Sequence, residues 1–534
     1  MRPNLRPTKR PYFSRSVIAL PAINAYLNKE LDDWTWLKHH DLSIVRQMLQ
    51  QQGVQFHTDP YSYQAVGTLI GTELNEFMYI FDVGMGKTKL ILDIFNHHKR
   101  TGRLTKPILA LSPTHSSAET WIEQAQEHTP NLVCRSLVID SETHKPLDRA
   151  ARFAALAQPA DVYTLNYPGL QVFMTQHNKE RRCRVPDKTM IRDFVSRFGA
   201  VAFDEMHHLG NHESLVYTLC NTISRSVDFR YGATATPFGR DPHAMWPQMK
   251  LIDRGKTFGD TLGLFRAAFF TEKENYWSGG ADWKFQKRMK PQFARFLRHR
   301  GLSYSADECM DLPEVIRVVR KVDFSTDAAE YYRLVVQKLR QSLGHFQEVE
   351  NAFLRMRQLA SGFISIKDDT ERVQHTFDEN PKLEALAALV EEIPDTEKFI
   401  IFYEFNHTGD TIHQMLRDEL KVDHARLHGG AKDSQAELAR FKQRASCRGL
   451  LANWRSGGES LNLQHARYAI YFESPVSPRM RIQCDGRMSG ARQKHKSFIY
   501  DLVVRGSIEE RILEYLKEGK DLFESIRNHG GSLI

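Results

Sequence analysis

Two series of short β-type runs, each followed by a helical pattern, constrain this chain most. Between about residues 56 and 250 the runs are FMYIFDV (77–83), PILALSP (107–113), DVYTLNY (161–167), AVAFDE (200–205) and RYGATATP (230–237). A second series opens near Lys398 with FIIFYEF and continues through ARLHG, RGLLAN, YAIYFESP and FIYDLVV. Parallel strands need long connections, usually helices, so strand, loop and helix in repetition predict parallel sheets with crossover helices. The chain reads as α/β, with two lobes and helical material between them. The expected divisions are an N-terminal accessory element (1–55), a first lobe (56–250), a basic helical insertion (251–310) and a second lobe (311–534). The last carries a helical protrusion at about 325–365, running from Asp327 to Ile364 before a charge-rich linker.

Of the 534 residues 41% are hydrophobic and 26% charged, enough to build large cores. The formal charge of +8 favours an acidic partner such as nucleic acid over a neutral one. The apolar runs are strand-sized and too short to cross a bilayer, and no apolar core follows the basic arm MRPNLRPTKRPYFSR. Membrane insertion and export are therefore not expected. Six scattered cysteines without a CxxC pair predict neither a disulfide framework nor a zinc finger, and point to a reducing compartment.

The run MYIFDV leads into VGMGKTKLIL. Gly84 and Gly86 permit a tight turn that aims N–H groups of the Gly84-Met85-Gly86 loop at phosphate oxygens. Lys87 is placed to reach the β- and γ-phosphates of ATP, and Thr88 to hold Mg²⁺ through its hydroxyl. The strict GxxxxGK(S/T) pattern has glycine where Phe81 stands; the looser xGxGKT form occurs among helicase-like ATPases. Downstream, AVAFDEMHH places Asp204 and Glu205 at the end of an apolar strand. Asp204 is the expected Mg²⁺ ligand, and Glu205 the group that orients and deprotonates the attacking water. DEMH fits DExH. His207, His208 and His212 lack a partner at metal-site spacing, so an ATPase-motif histidine with loop histidines is preferred to zinc.

With these motifs in place, the chain from 56 to 526 resembles the Swi/Snf-like branch of helicase superfamily two, in the compact stand-alone form seen in bacteria and bacteriophages. DPYSYQAVG is similar to the adenine-reading Q motif, with Gln64 in the glutamine position. ALSPTHSSAETWIEQ, with Ser112, Thr114 and Trp121, is similar to motif Ia, and VYTLNY, with Thr164 and Asn166, to the next nucleic-acid-facing motif. ATATP, with Thr234 and Thr236, is similar to motif III. MDLPEVI and LRMRQLASG resemble the entry into the second lobe. IIFYEFNHTGDTI is similar to motif IV, NWRSGGESLNL (453–463) to motif V and RIQCDGRMSGARQ (481–493) to motif VI; a brace helix follows. The resemblance implies two RecA-like lobes with ATP in the cleft and DNA crossing both. It assigns Gly457 and Arg487 to the nucleotide, and His207, Thr234, Thr236 and Gln483 to motor coupling. Ser112, Thr114, Thr164, Asn166 and Arg455 are assigned to nucleic acid.

Motif VI usually carries two arginines three apart. Here Arg487 fills the first position, Gly490 stands at the second, and Arg492 follows two residues later. The expectation is that Arg487 is catalytic and Arg492 compensates. Two basic clusters add candidates for phosphate contact. One is KERRCRVPDKTMIR (179–192), with Arg181, Arg182 and Arg184; the other is RMKPQFARFLRHR (288–300). Phe293 and Phe296, three apart on one helical face, are expected in the core.

The preferred reading is an ATP-driven translocase on duplex DNA, acting in replication, recombination or repair as a monomer. Single-stranded DNA or RNA remains a possible substrate. The expected location is the cytoplasm of a bacterial or phage-infected cell, or the nucleus in a eukaryote. A strand-separating DNA or RNA helicase shares the same motifs. A weakly hydrolysing, ATP-switched DNA-binding protein is the alternative raised by Gly490. A metabolite kinase does not account for the second lobe.

Overall fold

The computed structural model describes residues 20–140, 145–178, 180, 182–236, 242–275, 280–309, 313–341, 346–367, 372–427, 434–454, 463, 465–488 and 495–519. The first lobe is a seven-stranded parallel sheet. Its strands are β1 (Glu76–Phe81), β2 (Ile108–Ser112), β3 (Cys134–Ser136), β4 (Val162–Asn166), β5 (Ala200–Phe203), β6 (Phe229–Thr234) and β7 (Gly301–Tyr304), in the spatial order β7-β1-β6-β5-β2-β4-β3. Every residue of β1 is buried, as both faces of a parallel sheet are covered by helices. Side chains alternate between two cores. Met78 and Ile80 enter one, and Phe77, Tyr79 and Phe81 the other.

Two expected divisions change. Residues 1–55, expected as an accessory element, are integral to this lobe from Leu20 onward. Tyr26, in the helix Leu20–Leu27, joins one core, while Leu37, Val45 and Leu49 join the other. Apolar side chains on both sheet faces need cover, and this segment supplies part of it on each. Residues 251–310, expected as a helical insertion, contain an antiparallel hairpin (Phe270–Asn275 with Gly280–Phe285) and the edge strand β7. Phe293 and Phe296 lie in the core, where Phe258 stacks on Phe296 at 5.9 Å between ring centroids.

The second lobe is a six-stranded parallel sheet. It comprises β8 (Val315–Val322), β9 (Phe399–Tyr403), β10 (His424–Leu427), β11 (Gly449–Asn453), β12 (Tyr468–Tyr471) and β13 (Ser497–Val504), in the order β8-β13-β12-β9-β11-β10. The helices Thr326–Gln341 and Phe346–Ala360 pack together, and Ile508 and Ile512 of the helix Ile508–Lys517 close their shared core. The expected helix to Ile364 stops at Ala360. Gly362 then takes a φ of +86°, and Phe363–Lys367 pairs with Arg372–Thr376 as a hairpin. Arg357 ties this region to the second sheet through a buried ion pair with Glu404 and a 3.1 Å hydrogen bond to the Ser474 carbonyl.

Candidate nucleotide site between the lobes

In open parallel sheets, ligands bind beyond the carboxyl ends of the strands. The candidate residues of the first lobe collect at that edge. From β1 the chain turns through Gly84 (φ +80°) and Gly86 (φ +66°) into the helix Lys87–Arg100. Gly86 is required twice over, because its backbone is left-handed and a Cβ there would lie 2.4 Å from Gln64 Nε2. Gln64 is itself buried and braces the loop. Its Nε2 donates to the Met85 carbonyl at 3.2 Å and its Oε1 accepts from Tyr61 N at 3.0 Å. The carboxamide expected to read adenine is thus engaged with the phosphate loop. Lys87 Nζ donates to the carbonyls of Phe81 (2.9 Å) and Asp82 (3.0 Å), capping the end of β1. Thr88 is the second residue of the helix, where free N–H groups and the helix dipole favour anions.

Two bonds from a segment distant in sequence but adjacent in the sheet fix the entry to this loop. Asp82 N donates to the Tyr304 carbonyl at 3.2 Å, and Asp82 Oδ2 accepts from Ala306 N at 2.8 Å. Edge strand β7 is therefore part of the site's scaffold.

The acidic pair follows β5. Asp204 Oδ2 accepts from Trp121 Nε1 at 3.1 Å, its Oδ1 accepts from Glu205 N at 2.9 Å, and its carbonyl accepts from Tyr167 Oη at 2.5 Å. Burial first, then the neighbouring Glu205 charge, push its carboxyl up to about 6. Mg²⁺ takes oxygen ligands and keeps waters and substrate phosphates, so one hydroxyl (Thr88) and one carboxylate (Asp204) suffice from the protein. A divalent cation would relieve both the burial and the like-charge terms at Asp204, so the residues fit the ion.

Glu205 adopts a left-handed backbone (φ 46°, ψ 55°), a conformation that costs a non-glycine residue about 1–3 kcal/mol and concentrates at functional sites. Its Oε2 lies 3.2 Å from His207 Nδ1, which is 3.3 Å from Thr234 Oγ1; that oxygen accepts from Thr236 N at 3.2 Å. A polar chain thus runs from the end of β5 to the end of β6.

The second lobe meets this edge through the helix Pro478–Asp485 and the residues after it. A Cβ on Gly486 would sit 2.7 Å from Val83 Cβ, so the backbone after the helix presses directly on the phosphate loop. Arg487 follows, 8% exposed, with its carbonyl accepting from Leu463 N at 3.2 Å. Gln483 is buried on the same helix. Arg481 is held inside the lobe by Asp501 at 2.6 and 2.9 Å and by Asp485 at 3.1 Å. Arg479 is half-buried and within electrostatic reach of Glu205. Burial lowers its proton affinity and the Glu205 charge opposes that effect.

The nucleic-acid candidates divide. Ser112 and Thr164, expected at nucleic acid, are wholly buried, and Asn166 is 6% exposed. Thr114 caps the helix His115–His128, its hydroxyl accepting from Ser117 N at 3.2 Å. Arg182 and Arg184 are exposed, Arg184 on the hairpin Thr175–Asn178 with Cys183–Pro186 and Arg182 beside it. Arg181, Arg455, Gly457, Gly490 and Arg492 lie outside the described residues. Sequence reasoning missed Arg479, Tyr167 as a brace of Asp204, and β7. Trp121 was noted for its motif, but its grip on Asp204 was not foreseen.

Residues 50–374 match the SNF2-related domain, and residues 381–490 the helicase conserved C-terminal domain. Among curated relatives, Protein CHROMATIN REMODELING 4 of Arabidopsis thaliana is 25% identical over 346 residues, covering 62% of this chain and 15% of its own length. Putative ATP-dependent helicase/translocase YwqA of Bacillus subtilis is 22% identical, covering 83% of this chain and 46% of its own. The chain therefore spans less than half the length of either. A solved structure, the Sulfolobus solfataricus SWI2/SNF2 ATPase core in complex with dsDNA, aligns over 88% of this chain and 93% of that one, at 18% identity and a TM-score of 0.37. With the SNF2-related match covering residues 50–374 of 534, the chain belongs to the SNF2-related family, in the Swi/Snf-like branch of helicase superfamily two.

Proposed function

We propose that this enzyme is a DNA-dependent ATPase that uses ATP to translocate on duplex DNA. The observation that carries this reading is the meeting of the two lobes at one edge: Gly486 presses on Val83, and Arg479 lies within electrostatic reach of Glu205. A nucleotide held there contacts Lys87 and Thr88 on one lobe and Arg487 on the other, so hydrolysis alters the fit between lobes. In this reading Thr88 and Asp204 would hold Mg²⁺, which would supply charge neutralisation to the phosphates. Glu205 orients the water and accepts its proton. The chain from Glu205 through His207 to Thr234 and Thr236 passes the state of the site across the sheet. Exposed Arg182 and Arg184 contact the phosphate backbone without reading sequence. The setting we propose is DNA replication, recombination or repair.

ATP turnover with blunt duplex DNA, single-stranded DNA and RNA, each over a range of salt, tests this. Duplex is expected to stimulate most, and Lys87→Ala or Glu205→Gln to abolish the stimulated rate. Equal rates with all three polymers would overturn the reading. Displacement of an annealed strand would move the enzyme to the strand-separating class.

A further inference from the structure

The pattern around Arg487 has glycine at position 490, where the family it resembles usually carries a second arginine. The sequence offers Arg492; the fold offers a different residue. In the helix Pro478–Asp485, positions 479 and 483 and the following 486 fall on one stripe, since seven residues make two turns. Gly486 fixes where that stripe points, because it has no side chain and its backbone abuts Val83 of the phosphate loop. Arg481 points elsewhere, into Asp501 and Asp485 of its own lobe. Arg479, one turn ahead of Gln483, is thereby carried to the first lobe. The carboxylate within its electrostatic reach there is Glu205, the residue that the ATPase reading assigns to the attacking water. Among the described residues no hydrogen bond or ion pair ties its guanidinium down within the second lobe.

We propose that Arg479 is the second arginine that this lobe delivers to the transferred phosphate, in place of the one absent at position 490. The inference rests on the ATPase reading above. Charge builds on the oxygens of the transferred group as it leaves, and a fixed guanidinium stabilises it more in that state than in bound ATP. Arginine suits this task because it stays charged when half-buried and presents a planar fork of donors. Before nucleotide enters, its attraction to Glu205 keeps it at the cleft. As the γ-phosphate arrives, that anion becomes the stronger partner, and Glu205 is left to the water.

The test compares the full-length chain with Arg479→Ala and Arg479→Lys in duplex-stimulated ATP turnover, with Lys87→Ala in parallel. Arg479→Ala is expected to lower kcat about 100-fold, with KM for ATP within about threefold. Arg479→Lys is expected to recover part of the loss, since it restores charge without the fork. A second readout separates catalysis from folding. Arg479→Ala is expected to bind ADP with beryllium fluoride, a ground-state mimic, as the parent does, and to lose tight binding of ADP with aluminium fluoride, a transition-state mimic. Unchanged turnover in Arg479→Ala, or equal loss of both complexes, would overturn the proposal. Absence of Lys87-dependent turnover in the parent chain would instead overturn the ATPase reading on which it stands.

Discussion

Asp204 carries the clearest electrostatic consequence at the residue scale. Its carboxyl holds its proton up to about pH 6, against an ordinary value of 3.8. The fold thus binds that proton more tightly than the unfolded chain does. Its contribution to stability is fully present below about pH 4 and is lost as pH rises through about 6. Binding of Mg²⁺ with ADP needs the ionised form and has the opposite slope. Calorimetric titration is expected to show tighter binding at pH 7.5 than at pH 5, and Asp204→Asn to flatten that dependence. Trp121→Phe removes one of the two hydrogen bonds to this carboxylate and keeps an aromatic ring in the core. It is expected to cost about 1–3 kcal/mol in urea unfolding, the range for a bond to a buried charged group. The phosphate loop and the acidic pair were legible in the sequence, because glycine, lysine and carboxylate types announce their chemistry. The depth of Thr164 was not. On a strand buried on both faces, residue type does not say how deep a side chain lies, and this one is wholly buried.

At the scale of elements, the contact between Gly486 and the phosphate loop is a close link between the lobes. Gly486→Ala places a methyl 2.7 Å from Val83 Cβ. Overpacking of this kind costs about 1–3 kcal/mol, so kcat/KM for ATP is expected to fall about 10- to 100-fold. The clash lies between lobes, so the urea midpoint of either lobe is expected to change little. Most strands of both sheets followed from the apolar runs, though the short strand β3 did not. Strand β7 did not either, because Gly-Leu-Ser-Tyr is short, half polar and flanked by arginine and histidine, and only its pairing with β1 makes it a strand. Arg479 was illegible for a related reason. Its partner is distant in sequence, and nothing local distinguishes it from a solvated helix-end arginine.

For the whole molecule, the +8 charge acts through exposed groups rather than as a bulk property. Each phosphate contact with duplex DNA contributes about 0.9 to the slope of log affinity against log salt. Replacing Arg182 and Arg184 together by alanine is therefore expected to reduce that slope by about 1.8, with no change in sequence preference. A slope equal to that of the parent would remove this hairpin region from the DNA path. The described residues contain no helix long and apolar enough to cross a membrane.

Strand β7 also bears on how the protein comes into being. Asp82 is held by Tyr304 and Ala306, which are synthesised more than two hundred residues after it. A nascent chain thus has its glycine turn early but lacks the clasp that shapes it until Ala306 has left the ribosome. Until then the six earlier strands present a bare edge, open to pairing with another chain. The nucleotide pocket is consequently among the last features of its own lobe to set.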